Sequence, residues 1–200
     1  MAAYVTYVDV RKYLNISGSD DDALLIELIA GAQAAIDRYT KRTFSSTANA
    51  TRRFTVGRDT DGRKLYLDGD LASINAVVTD ADSTAPTTVT TSEYFTHPRN
   101  VAPYHALELR SNADVSWTYT SEPEMGITVS GKWAFSTAPP EDIQRATVRL
   151  AAYYYRQRGA QVFDVTASPT TGQITIPQGM PKDVEKLLKP FIRPVLVYAY

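Results

Sequence analysis

The sequence predicts an α+β fold, a mainly helical subdomain of about four helices with an antiparallel β-domain inserted into it. Three observations lead there. Apolar residues recur with the helical 3.6-residue period before Phe44 and again after Pro139. Between these stretches, short β-rich pieces alternate with Gly, Pro, Asp and Ser turns. The first and last helical segments each carry an apolar stripe with no partner nearby in sequence, so the two are expected to pack together. Residues 1–44 plus 139–200 accordingly form the helical part, with a loop or hairpin arm at 160–178, and residues 45–138 form the β-domain.

The first element is a short helix. Thr6 followed by Asp9 matches a capping box, and Val10, Tyr13 and Leu14 give one apolar face ending near Asn15. The next stretch, "SGSDDDALLIELIAGAQAAIDRYTKRTF", begins at Ser17 with three consecutive aspartates inside it. At 100° per residue, Leu24, Leu25, Leu28, Ile29, Ala32, Ala35, Ile36 and Tyr39 fall in one broad stripe, which predicts a helix over 21–39. Ser19 or Asp20 can accept from the free N–H groups of its first turn, and the other aspartates suit the positive end of its dipole. A calcium loop needs ligands at alternating positions, a glycine at the bend and a distal glutamate, which contiguous Asp20, Asp21 and Asp22 do not supply.

After Phe44 the pieces "RRFTVG", "RKLYLDG", "INAVVTD", "EYFTH", "ALELR" and "GITVSG" read as strands, so residues 51–135 predict an antiparallel β-domain. From Pro139 the helical period returns in "PPEDIQRATVRLAAYYYRQRG". Pro140 suits the first turn, Glu141 and Asp142 suit the dipole and Gly159 suits the C-terminal cap, giving a helix over about 141–157. "QVFDVTASPTTGQITIP" is too polar and too punctuated for a helix and suggests a β-hairpin arm. A last amphipathic helix starts near Pro181 and stops at Pro190 or Pro194.

Composition narrows the function. The 21 Lys and Arg against 22 Asp and Glu leave a net charge of −1 with both signs interspersed, which argues against a chain built to grip DNA phosphates. Without cysteine there is no disulfide framework, thiolate nucleophile or Cys-ligated zinc. The start "MAAYVTYVDVRKYL" lacks the pattern of a signal peptide, and no apolar run approaches membrane-spanning length, so no membrane association is expected.

No constellation carries recognisable catalytic or metal chemistry, and no cofactor is expected. Asp59 and Asp61 in "DTDG" resemble the start of a calcium loop, but no Glu stands at the required offset and Asp-Gly between β-runs signals a hairpin turn. "DGD" at 68–70 receives the same turn reading. Glu122 and Glu124 flank Pro123 in a turn, and His97 and His105 sit among prolines as surface or loop residues without a triad or zinc pattern.

Two surfaces are more informative. Arg145, Arg149 and Arg156 lie within about 40° of one another on the third helix, opposite Ile143, Leu150 and Tyr154. They form either a solvated face with local salt bridges or a docking strip for an acidic partner. On the long helix, the side away from the apolar stripe carries Ile26, Ala30, Gly31 and Ala34. Small residues there allow close approach, either by another element of the same domain or by a second subunit.

These pieces in this order carry a resemblance. "VDVRKYLNISGSDDDALLIELIAGAQAAIDRYTKRTF" resembles the N-terminal signature of the tailed-phage head–tail connector, or adaptor, family: a short helix, an acidic turn, a "DDALL"-type helix start and a "Y-T-x-R-x-F" ending. "PPEDIQRATVRLAAYYYRQRG" is similar to that family's third helix, and "IPQGMPKDVEKLLKPFIR" to its closing segment. The match covers about half of the chain; the centre resembles longer members only in being an inserted β-region. The same signature occurs in phage-like gene transfer agents.

The resemblance implies a structural role and no enzymatic one. The chain would be a homo-oligomer, a dodecameric ring in the virion neck between head and tail, assembled in the host cytoplasm. Its partners would be the portal protein and a stopper, tail-terminator or tail protein, with DNA passing through the channel without sequence-specific binding. Ile26, Ala30 and Ala34 then become a subunit interface, and Arg145, Arg149 and Arg156 a partner-docking strip. "VLVYAY", after Pro194, is too apolar to be left in water and too short to span a membrane. The resemblance makes Val195, Leu196, Val197, Tyr198 and Tyr200 a portal-binding tail, the alternative being that the tail folds back on its own subunit. A second reading remains at this point, a carbohydrate- or protein-binding module carried by the β-domain, resting on Trp117, Trp133 and the many tyrosines.

Overall fold

The computed structural model describes residues 3–160, 166–167, 174–175 and 180–193. These separate into two compact units, one made of Ala3–Arg42 and the chain from Pro140 onward, the other of Thr43–Pro139.

The helical unit begins with α1 (Tyr7–Leu14). Thr6 Oγ1 accepts from the Asp9 N–H while the Asp9 carboxylate accepts from the Thr6 N–H and hydroxyl, the expected capping box. The Thr6 hydroxyl, then the Thr6 N–H, hold Asp9 below the ordinary carboxylate pKa. Asn15 ends the helix in the left-handed region at φ 55°, a conformation Asn tolerates better than most residues. The long helix α2 (Asp22–Thr40) buries Leu25, Ile29, Ala32 and Ile36, the middle of the predicted stripe. It also buries Gln33 and Thr40. Gln33 is satisfied because its Oε1 accepts from the Tyr4 N–H, and the Thr40 hydroxyl donates to the Ile36 carbonyl.

The aspartate run starts α2, but by a different arrangement from side-chain capping. Asp21 is the cap residue and makes no cap hydrogen bond. Its carboxylate instead accepts from the Tyr155 hydroxyl at 2.6 Å and lies 3.5 Å from the Arg158 guanidinium, while Arg11 pairs with Asp22 at 3.1 Å. Two of the three aspartates thus tie α2 to α1 and to α3 (Glu141–Ala160). That use of the carboxylates outcompetes the local cap, because a charged partner gives the stronger hydrogen bond.

α3 buries Ile143, Ala146, Thr147, Leu150, Ala151 and Ala152, and the last helix, α4 (Lys182–Leu188), adds Val184 and Leu188 to the same helical core. Pro181 precedes the first turn of α4 and a 3₁₀ turn at Lys189–Phe191 follows it. The Arg193 N–H then donates to the Thr40 carbonyl and satisfies an open acceptor at the end of α2. Among the described residues of the arm, β9 (Thr166–Ala167) pairs antiparallel with β10 (Ile174–Thr175), as a hairpin requires. No described helix is long and apolar enough to cross a membrane.

The β unit holds two antiparallel four-stranded sheets. One has the order β1 (Ala50–Phe54), β8 (Ile127–Lys132), β4 (Ser73–Thr79), β5 (Thr87–Thr88). The other has the order β2 (Thr60–Asp61), β3 (Lys64–Leu71), β7 (Tyr104–Leu109), β6 (Tyr94–His97). Alternate positions point inward, so Phe54, Val77, Ile127 and Val129 of the first sheet share one core with Leu65, Leu67, Leu107 and Leu109 of the second.

"DTDG" makes the predicted hairpin turn, with Asp61 opposite Lys64 and Gly62 at φ 56°. "DGD" does not turn. It lies inside β3, where the ladder with β7 slips between Tyr66 and Leu71. Arg52 supplies the reason. It pairs with Asp68 at 2.7 Å and stacks 4.2 Å from the Trp133 ring, and a Cβ at Gly69 would strike its guanidinium. Where the chain enters and leaves this unit, its two ends are stapled. The Phe135 N–H donates to the Thr43 carbonyl, the Ser136 hydroxyl to the Phe44 carbonyl, and the Phe44 and Phe135 rings lie 5.6 Å apart.

Candidate assembly surfaces

α2 presents an unusual outer face. Ala23, Ile26, Glu27, Ala30, Gly31, Ala34 and Arg38 are exposed, so a side with two charged residues is otherwise small or apolar. Ile26, at 54% exposure, is among the most exposed large apolar residues described. Ala30 and Ala34 lie beside it at successive helical turns, and a Cβ built on Gly31 would meet open space. A helix with its apolar stripe already buried gains nothing from a second apolar strip unless something covers it. No described element does so.

The arginines of α3 are differently placed. Arg149 donates to Asp183 of α4 at 2.6 Å, an exposed pair, and Arg145 lies 3.8 Å from Glu141 one turn earlier. Arg156 is exposed and forms no ion pair with another described residue. Two of the three cations are therefore shared with carboxylates of their own unit. Val195, Leu196, Val197, Tyr198 and Tyr200 lie outside the described residues.

Several polar residues of the β unit have structural partners. Asp59 accepts from the Thr55 N–H at 2.7 Å and from Arg58; although burial opposes it, these bonds leave its carboxyl below the ordinary pKa. His105 is exposed, as a surface residue, though on β7 and not in a loop, and His97 lies on β6, where Phe95 and Glu108 flank it. His97 Nε2 lies 2.8 Å from the Glu108 carboxylate, half-buried. Sequence proximity to prolines hid this, since the pairing partner is on the neighbouring strand.

Trp117 and Trp133 are buried, with their indole N–H groups donating to the backbone carbonyls of Arg63 and Ala50. They serve the core and offer no exposed stacking platform for a sugar. Sequence reasoning also missed Asp82, whose carboxylate accepts from the backbone N–H groups of Thr120, Ser121 and Glu122. The bond from Glu122, followed by those from Ser121 and Thr120, holds its pKa down at about 2. The two aspartates of "TDADST" give no hint of partners so far along the chain.

The helical unit thus has one outer face of small and apolar residues on α2, and in the β unit Asp59, Asp68, Asp82 and Glu108 are engaged by partners that hold the fold. The chain belongs to the head completion protein family, whose sequence model, described as "HCP: Head completion protein", matches residues 3–193. It is a structural head–tail connector of the tailed-phage type and not an enzyme. No curated protein matches the chain significantly.

Among solved structures it is similar to a chain in the neck of an empty GTA particle computed with C6 symmetry, at TM-score 0.63 and 19% identity, covering 100% of this chain and 96% of that one. A chain in the neck of a native GTA particle computed with C12 symmetry matches at TM-score 0.60 and 19% identity, covering 100% and 96%. A chain in the virion of a native gene transfer agent particle matches at 0.59 and 20%, covering 98% and 93%. At these identities the likeness is one of fold.

Proposed function

We propose that this chain is the subunit of a closed, dodecameric ring in the neck of a tailed phage or phage-like particle. The ring sits below the portal, extends the DNA channel and receives a stopper or tail protein. The observation that carries the reading is the outer face of α2, where Ile26, Ala30 and Ala34 stand exposed with no described element over them. A ring covers such a face once per subunit, since each copy presents it to the next. Membership of the head completion family supports the placement, as does the occurrence of similar chains in the necks of particles computed with C6 and C12 symmetry. The balance of charge supports a channel wall that lets DNA slide, because fixed phosphate contacts would retard it.

Arg156, with Arg145 and Arg149 beside it, then faces an acidic neighbour, and the segment Val195–Tyr200 attaches to the portal. Electron micrographs and light scattering of the purified chain, alone and with its portal, test the reading. Rings are expected in at least the second condition. A chain that stays monomeric in both would sink it, and a monomer that binds glycans would favour a binding module instead.

A further inference from the structure

Within the β unit, a cleft of about 720 Å³ is lined by residues of β6, by the corner Ala72–Ile74 between β3 and β4, and by the loops at 99–100 and 110–112. Its lining contains two guanidiniums, Arg99 and Arg110, and not one carboxylate. The acidic side chains closest in sequence are already engaged. Glu93 accepts from the Thr90 N–H at 2.7 Å and its hydroxyl at 2.8 Å, and Glu108 is paired with His97. Neither arginine forms an ion pair with another described residue.

Arg99 is also held in place, its guanidinium lying 4.1 Å over the Phe95 ring. Stacking fixes the planar fork before a ligand arrives, so less side-chain freedom is lost on binding. Tyr94 and Tyr104 complete the wall, and burial, with Tyr104 adding to it, pushes the Tyr94 pKa up. Its hydroxyl, like any tyrosine's, is protonated and a donor at neutral pH. β6 is the edge of its sheet, and its outer side meets no described strand.

We infer that this cleft receives an extended acidic polypeptide segment from a partner protein. Its carboxylates meet Arg99 and Arg110, its apolar side chains rest on Phe95 and Tyr104, and its backbone runs beside the β6 edge. Two isolated cations suit carboxylates on a peptide better than a nucleic acid backbone, which needs a track of several phosphate contacts to hold. The inference goes beyond the ring reading and does not depend on it, since it concerns the β unit.

The test is a fluorescence anisotropy titration of the full chain with a labelled hexaglutamate peptide containing one central Tyr. A hexalysine peptide and a short oligothymidine serve as comparisons. Saturable binding of the acidic peptide alone is expected, weakening about tenfold for each of Arg99→Gln and Arg110→Gln as one charge-assisted contact is lost. Ser111→Glu, which supplies a carboxylate to the cleft wall from within, should reduce binding without removing either arginine. Circular dichroism of each variant checks that the fold is kept. The inference is overturned by absent or non-saturable peptide binding, by folded variants that bind as well as the wild type, or by preferred binding of the oligothymidine.

Discussion

Ala34→Arg separates the stability of the subunit from that of the assembly. In the single chain Ala34 is exposed, so the new side chain extends into solvent. Arg is nearly as good a helix former as Ala, at a cost of about 0.2 kcal/mol. It also stands four residues before Arg38, and like charges at that spacing cost about 0.2–0.5 kcal/mol. The subunit should lose less than about 1 kcal/mol, which for a chain of this size lowers Tm by no more than about 2–4 °C.

At a subunit contact the same residue buries an unpaired guanidinium, at about 3–5 kcal/mol per interface. Each 1.4 kcal/mol is roughly a factor of ten in affinity, so a single contact weakens by about 100-fold or more. Closure multiplies the effect because every subunit carries the change. Thermal melts by circular dichroism and light scattering of the same sample should show a folded monomer, while Ala34→Ser, which stays small, should still form rings. Normal rings from Ala34→Arg would refute the assignment of this face, and an unfolded variant would refute its exposure.

Reversing Arg145 and Arg156 to Glu should weaken incorporation into particles and make what remains more salt-sensitive, whereas unchanged incorporation at every ionic strength would mean the stripe is only solvated. Arg149→Glu also breaks the exposed pair with Asp183, at a cost to subunit stability of less than about 1 kcal/mol, measured by denaturant titration. Asp82 has a folded pKa of about 2 against an ordinary 3.8, so its contribution is fully present above the ordinary value and lost as pH falls toward 2. Melting temperatures between these limits should fall in the wild type and fall less steeply in Asp82→Asn, where Asp9 and Asp59 still titrate; parallel curves would show that the three backbone bonds do not matter. Deleting residues 195–200 should leave a folded subunit that no longer attaches to the portal, giving heads that leak DNA or lack tails. If the truncated chain unfolds, the segment belongs to the core.

How legible the molecule is depends on how far apart its partners lie. The capping box at Thr6 and Asp9, the α2 stripe and the turn at Gly62 all involve residues within a few positions, where helical period and turn chemistry act directly. The second role of the aspartates was not readable, because Tyr155 meets Asp21 across 134 positions and nothing local announces it. The slip in β3 has the same cause. "DGD" has the composition of a turn, and only Arg52, arriving from another strand and stacked on Trp133, makes an extended path with a buried glycine preferable. The small outer face of α2 could be read as a period, but whether its neighbour would come from the same chain needed the packing of the other helices. The Arg99 and Arg110 cleft left no trace in the pattern, since its lining comes from separate stretches of the β region.

The staple at Thr43, Phe44, Phe135 and Ser136 makes the β unit behave, from the standpoint of the helices, like a short loop. The entropy of closing a connection depends on the distance its ends must be held, and here the insert holds its own ends together. A sequence of different length or topology could be grafted onto that clasp with little effect on the helical unit. Natural variation in this protein should therefore concentrate between residues 46 and 134 as exchange of whole inserts, and excising them in favour of a tight turn should leave helices that still fold.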